Sequence, residues 1–227
     1  MSPMKGLLGS VLVLVAVHLC LGTQVHADMV TYRFGNITAN NPVSAAIGEA
    51  QLSVEVSAVA GRPDQTLFKF INEGPEPCSI TRVYFADGAL LGIAELTSSD
   101  GVQYSLDANP PNLPGGQAIG FQVTQGFLAS SDPAVEPNGV GPDEWLGVLF
   151  DLKDGMTFND VTSALALGTS QGGVDGSLRI GIHVQGFEGG WSESFVNVPA
   201  PAAVLSGMIG LGLVGILQRR RFVNPLQ

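Results

Sequence analysis

The chain is poor in charge, in histidine and in cysteine. Only 13% of its 227 residues are Asp, Glu, Lys or Arg, too few for a solvent-laced helical protein, and a hydrophobic content of 45% argues against disorder. Of the two cysteines, Cys20 falls in an N-terminal apolar run, so Cys78 is left without an internal disulfide partner. A zinc site needs several His or Cys ligands, and with three histidines in all that inventory is missing. No Gly-Lys-Ser/Thr phosphate loop occurs. Bases are also scarce: outside Lys5 and Arg219-Arg220-Arg221, 6 bases stand against 20 acids, so residues 28–198 carry a net −14. A segment that acidic does not bind nucleic acid through phosphates; the charge suits cations or solubility.

What the chain does have begins at its ends. Residues 1–27 read as a secretory signal. Lys5 is the only charge of the first segment, and Gly6 to Leu21 is apolar apart from Ser10 and His18. Val25-His26-Ala27 then offers compact residues for cleavage between Ala27 and Asp28. An uncleaved anchor is the alternative; Leu19 is too bulky for lipoprotein processing at Cys20. At the other end, Ala203 to Leu217 is uncharged, interrupted only by Ser206 and four glycines. As a helix it would span about 22 Å, short of a hydrocarbon core of about 30 Å. Arg219, Arg220 and Arg221 place that end in the cytoplasm and the bulk of the chain outside. A buried core helix is the alternative, and three adjacent arginines speak against it.

Between the ends, alternation dominates. Leu52, Val54, Val56 and Ala58 alternate with polar residues, as do Ile180, Ile182 and Val184, the pattern of half-buried strands. Further strands are expected at 30–34, 66–71, 79–85, 90–96, 102–106, 119–124, 145–151 and 194–198. Asn72-Glu73-Gly74-Pro75, Asp87-Gly88, Asp100-Gly101, Asp154-Gly155 and Asp175-Gly176 supply turns. About ten short strands imply an all-β, antiparallel sandwich or jelly roll over 28–197. An N-terminal signal helix and a C-terminal transmembrane helix would flank it. Thr157 to Leu167 reads as a helix capped by Thr157 with Asp160, or as another strand. The segments 107–116, 130–142 and 168–176 read as loops.

Candidate chemistry is sparse. Cys78 reads as a small buried hydrophobe. A serine triad with His183 is formally available, but its place on the polar face of a strand favours a solvated or hydrogen-bonded side chain. Asp132, Glu136, Asn138, Asp143 and Glu144 crowd one loop, where they would either hold Ca²⁺ or form a solvated acidic surface. Glu144 beside Trp145 invites comparison with glycosidase carboxylates. With 20 acids such pairs arise by chance; Trp145 reads as core and Trp191 as the exposed aromatic. Asn36-Ile37-Thr38 matches a glycosylation sequon.

Val198-Pro199-Ala200-Pro201, the glycine-rich apolar stretch and the arginine triplet together resemble the PEP-CTERM sorting tails of Gram-negative bacteria, over residues 198–222. Ala200 stands where that family usually has Glu. The resemblance implies a membrane partner, an exosortase-type sorting protease, and a link to extracellular polysaccharide or biofilm matrix. Residues 85–91, 137–140, 144–147 and 178–186 are similar to blocks in uncharacterised exported proteins with such tails, which supplies no activity; a bacterial source also sets the sequon aside. The expectation is a non-catalytic surface or matrix protein, anchored by its C-terminus and then exposed or released. The alternatives are a polysaccharide- or Ca²⁺-binding module and, behind it, a glycoside hydrolase; no other cofactor is called for.

Overall fold

A computed structural model describes residues 28–87, 92–106, 111–124, 128–131, 136–153, 155–171 and 173–198. The expected signal and transmembrane helices lie outside the described residues. Among the described residues, no helix is long and apolar enough to cross a membrane.

Among the described residues the fold is all-β with two α-helices. Its strands are β1 (Met29–Asn36), β2 (Leu52–Val59), β3 (Arg62–Asn72), β4 (Ser79–Asp87), β5 (Gly92–Ser98), β6 (Tyr104–Ser105), β7 (Leu128–Ser131), β8 (Glu144–Asp151), β9 (Leu178–Gln185) and β10 (Glu193–Val198). They form one ladder in the order β5-β8-β3-β2-β1-β10-β9-β4-β7-β6, and every pairing is antiparallel. The outermost strands, β5 and β6, are consecutive in sequence. Their connection hydrogen-bonds toward both sides: Ser99 N–H donates to the Trp145 carbonyl at 3.1 Å and Gln103 N–H to the Asn138 carbonyl at 2.9 Å. One short connection therefore bridges the two edges, and the sheet is nearly closed.

Alternation places Tyr32, Phe34, Val54, Val56, Phe68, Phe70, Leu146, Val148, Ile180 and Ile182 in one buried cluster. The interior is thin enough for opposite walls to touch. Phe85 on β4 meets Phe68 on β3 and Phe150 on β8 edge-on, at ring separations of 5.5 and 4.8 Å, although β3 and β4 are five places apart in the strand order. Such edge-to-face contacts add to the burial energy of each ring.

Helix α1 (Pro42–Gln51) is one that alternation alone does not announce. Asn41 caps it, its side-chain oxygen accepting from the N–H groups of Val43 and Ser44, and Pro42 opens the first turn. Gly48 lets α1 lie on the ring of Phe195, which a Cβ there would overlap at 2.2 Å. Helix α2 (Phe158–Gln171) meets the expectation of a helix: the Asp160 carboxylate accepts from Thr157 N–H at 2.8 Å and from its hydroxyl at 2.7 Å. Val161 and Leu165 face the core, and Gly168 packs against the Leu178 carbonyl. The helix thus runs into the segment expected to be a loop from residue 168.

Two other expectations are corrected. Residues 119–124 form no strand; they continue from a 3-10 turn at Gly116–Ile119 and lie over the outer face, where Leu113 and Phe121 cover Tyr84. Trp145 is half-buried on that outer face, outside the core cluster, with the Lys69 ammonium 5.1 Å above its ring. The Phe85 contacts generate a prediction. Phe85→Ala should lower unfolding free energy by about 3–5 kcal/mol in urea denaturation; a loss below about 1 kcal/mol would mean that the walls do not rest on this ring.

Candidate functional site

The two chain ends of the described fold lie together. β1 and β10 are neighbours, paired from Asn36↔Phe195 to Arg33↔Val198. Asp28 is exposed, and its carbonyl accepts from Ala58 N–H at 3.0 Å. Val198, the first residue of the expected sorting motif, ends β10 half-buried. Ala27, Pro199, Ala200, Pro201, Arg219, Arg220 and Arg221 lie outside the described residues.

At the opposite end of the same pair of strands sits a site that sequence reading missed. Glu193 is fully buried, at 0% exposure, and no cation pairs with it among the described residues. Its carboxylate accepts from Asn41 N–H at 2.6 Å, Asn40 N–H at 3.2 Å, the Asn36 amide at 3.0 Å and the Thr38 hydroxyl at 2.5 Å. Burial by itself raises the pKa of this carboxyl. The hydrogen bonds from Thr38, Asn36, Asn41 and Asn40 outweigh it and hold the group below the ordinary glutamate range. The Asn36 and Thr38 side chains of the sequon are thus engaged inside the fold. The density of Asn and Thr at 36–41 was the available signal; nothing marked Glu193 among 20 acids. Next to it, Trp191 is 45% exposed, its indole lying along Gly189, and the Asn40 amide donates to the Ser192 carbonyl at 2.8 Å.

The acidic loop is only partly described: Asp132 and the Glu136 side chain lie outside the described residues. Asn138 closes a 3-10 turn. Asp143 adopts a left-handed conformation at φ 64° and donates its N–H to the Asn72 carbonyl at 2.9 Å. Glu144 accepts from Gly141 N–H at 2.7 Å. Near it, the Tyr104 hydroxyl donates to the Ile80 carbonyl at 2.5 Å; burial, and then the Glu144 charge, pushes that phenol far up. Among the described residues, no three His, Cys, Asp or Glu side chains gather as a metal site does.

Cys78 is buried, its sulfur accepting from the Gln51 amide at 3.1 Å. Burial, outweighing the hydrogen bonds from Gln51 and Asn72, pushes the thiol up to about 11, which leaves it protonated and inert at neutral pH. His183 is also buried, with Nδ1 3.2 Å from the Ser194 hydroxyl. Burial and the Arg82 charge push its pKa down to about 4 against the opposing pull of Glu193, so the imidazole is neutral. Ser194 is itself fully buried, so no substrate reaches this pair. Gly168-Thr169-Ser170-Gln171-Gly172 has the G-x-S-x-G spacing of a nucleophile elbow. Here Gly168–Gln171 end a helix, whereas an elbow is a turn from strand to helix. Arg179, 7% exposed, lies 5.3 Å over the Phe121 ring and donates to the Ile119 carbonyl at 3.0 Å. A cavity of about 300 Å³ nearby, lined by Ala86, Gly120 and residues 122–124 and 173–177, carries Asp175 as its single charged group.

Acid stability follows with a definite sign. His183 is depressed in the fold, so its contribution is complete above its ordinary 6.5 and is lost as pH falls toward about 4, a change on the order of 3 kcal/mol. Glu193, also depressed, adds its loss below the ordinary 4.5. Denaturation midpoints should therefore fall between pH 6.5 and 4 in the wild type and stay nearly level there in His183→Gln. Glu193→Gln should cost about 1.5–3 kcal/mol at neutral pH and flatten the steeper limb below pH 4.5. A His183→Gln profile parallel to wild type would contradict the assignment.

Comparison with protein-family models, with curated proteins and with solved structures finds no match for this chain.

Proposed function

We propose that this chain is a non-catalytic exported protein of the cell surface or extracellular matrix, tethered by its C-terminal tail and processed there by an exosortase-type sorting protease. One observation supports this reading above the others: β1 and β10, the first and last strands, are adjacent and antiparallel. The described fold therefore begins and finishes at one end of this strand pair, with Val198 opposite Arg33, which suits attachment of a single tether at that end. Arg219-Arg220-Arg221 then lie on the cytoplasmic side, and the Trp191 end of the strand pair is directed away from the membrane. For the finer architecture we infer a sandwich-like flattening of the nearly closed sheet, supported by the Phe85–Phe68 and Phe85–Phe150 contacts between its walls.

Intact-mass analysis of membrane and extracellular fractions from the native host tests the reading. The expected product begins at Asp28 and, outside the cell, lacks residues beyond the Pro199-Ala200-Pro201 region; replacing all three arginines with alanine should retain the tail. A product in the cytoplasm that keeps residues 1–27 would sink the proposal.

A second reading, that the domain also binds polysaccharide, is favoured by Trp191. Trp191 is 45% exposed beside Gly189, and an exposed indole offers apolar area on which a sugar ring can stack; the net −14 of residues 28–198 selects a neutral glycan over an acidic one. Binding of a neutral polysaccharide should quench tryptophan fluorescence and disappear in Trp191→Ala, with Trp145→Phe still binding. An acidic glycan binding equally well would oppose this reading.

A further inference from the structure

The cavity of about 300 Å³ beside Ala86 belongs neither to the chain ends nor to the Trp191 turn. It opens where β4 finishes and β9 starts, next to the Asp87↔Leu178 pair. Trp191 lies at the other end of β9, just before Glu193, which pairs with Val184. The volume is at the lower limit of small-molecule sites.

Both of its walls are pinned. On one, Phe121 N–H donates to the Gly116 carbonyl and Thr124 N–H to the Phe85 carbonyl, each at 2.9 Å. Phe121 is buried in the outer-face cluster, against which Ala86 and Val123 also pack. On the other wall, Ser177 N–H donates to the Val174 carbonyl at 3.0 Å, closing a turn that carries Gly176 at φ 79°. The walls meet at Gly173. It is left-handed at φ 42°, and its Cβ position lies 3.2 Å from the Gly120 carbonyl, so a side chain there would be both strained and crowded. The cavity is therefore formed before any ligand arrives, which lowers the cost of binding.

Its lining selects a polar ligand without net charge. Sites for apolar ligands are walled mostly by hydrophobic and aromatic side chains. Here Gln122, Asp175 and Ser177 stand beside Val123 and Val174, and among the described residues no ring takes part. Nor does a Lys or Arg line the cavity to receive an anion, and no metal cluster forms among the described residues. Asp175 alone would attract a cation, but Arg179 opposes it. The Arg179 Nη1 lies 3.9 Å from the Gly173 Cβ position and donates to the Ile119 carbonyl at 3.0 Å, so its charge acts from behind the wall. We propose that this cavity binds one uncharged sugar ring, either free or at the end of a chain. Such a ring offers adjacent hydroxyls, which donate and accept at once, and an apolar C–H face. The Asp175 carboxylate accepts from two neighbouring hydroxyls, the Gln122 amide donates and accepts, and Val174, 38% exposed, meets the C–H face. The site is separate from Trp191 and does not rest on glycan binding there.

Titration of the full chain, followed by amide chemical shifts, tests the proposal. At least one of glucose, galactose, mannose and N-acetylglucosamine should shift the amides of Thr124, Gly173, Gly176 and Ser177, with a dissociation constant of about 1–10 mM, the range open to one small ring. Asp175→Asn should weaken that sugar about tenfold or more, with the rest of the spectrum unchanged, and Gln122→Ala, at an exposed position, about threefold. Trp191→Ala should leave these shifts intact, so failure here and failure of polysaccharide binding at Trp191 are read separately. An oligosaccharide that shifts the same amides identifies a chain end as the source; a monosaccharide that binds where its oligosaccharide does not identifies the free sugar. Glucosamine, glucuronate and glycine probe the charge. A stronger response to any of these three than to every uncharged sugar would overturn the proposal. So would the absence of shifts with all four uncharged sugars, or wild-type affinity in Asp175→Asn.

Discussion

The pairing of β1 with β10 is the constraint on which the rest of the structure depends. In the strand order the seam between them lies at the centre, with five strands on each side, so it joins what would otherwise be two separate five-stranded pieces. Its two members are the first and last strands of the described chain. Such non-local closure costs loop entropy that local contacts do not recover. The seam therefore needs more than ladder hydrogen bonds, and at one end it has the Glu193 carboxylate. That group sits at the start of β10 and accepts from four donors between Asn36 and Asn41, the stretch that leaves β1 and caps α1. A single buried anion thus fixes the seam, the loop and the helix entry together.

A buried carboxylate usually calls for a cation, and this one has none among the described residues. The scarcity of bases explains the solution. Of the six between residues 28 and 198, Arg33 pairs with Glu73 at 3.1 Å, Lys69 lies over Trp145 and Arg179 over Phe121, while Arg82 faces His183 and Tyr84. Cations largely serve aromatic and internal contacts, and neutral amide and hydroxyl donors stabilise the interior charge. What remains on the surface is predominantly negative. That favours solubility and repulsion between copies.

How much of this was legible in the sequence depended on whether one element explained its own residues. Period-two alternation marked β2 and β9 because each has a face in the core, and the Thr157–Asp160 spacing marked α2 through a local hydrogen bond. The reading failed where apolar residues serve a distant partner. Phe121 and Val123 look like a strand, yet they cover the outer face of β4 around Tyr84. Trp145 looks like core, yet register on β8 turns it outward beside Lys69. The helix α1 was marked by Asn41-Pro42, a capping signal easily passed over in a chain dominated by alternation. Glu193 was illegible in principle, since its role is created by residues about 155 positions away.

Closure is the last consequence of these pairings. A sheet whose edges β5 and β6 are joined by one short connection leaves few backbone groups open to other chains, and open strand edges are where β-proteins associate wrongly. The connection itself is tied down on both sides, through Ser99 N–H to the Trp145 carbonyl and Gln103 N–H to the Asn138 carbonyl. The ladder is thus held at its middle by the Glu193 carboxylate and at its two edges by the chain that links them, so neither edge depends on its own strand pairing alone.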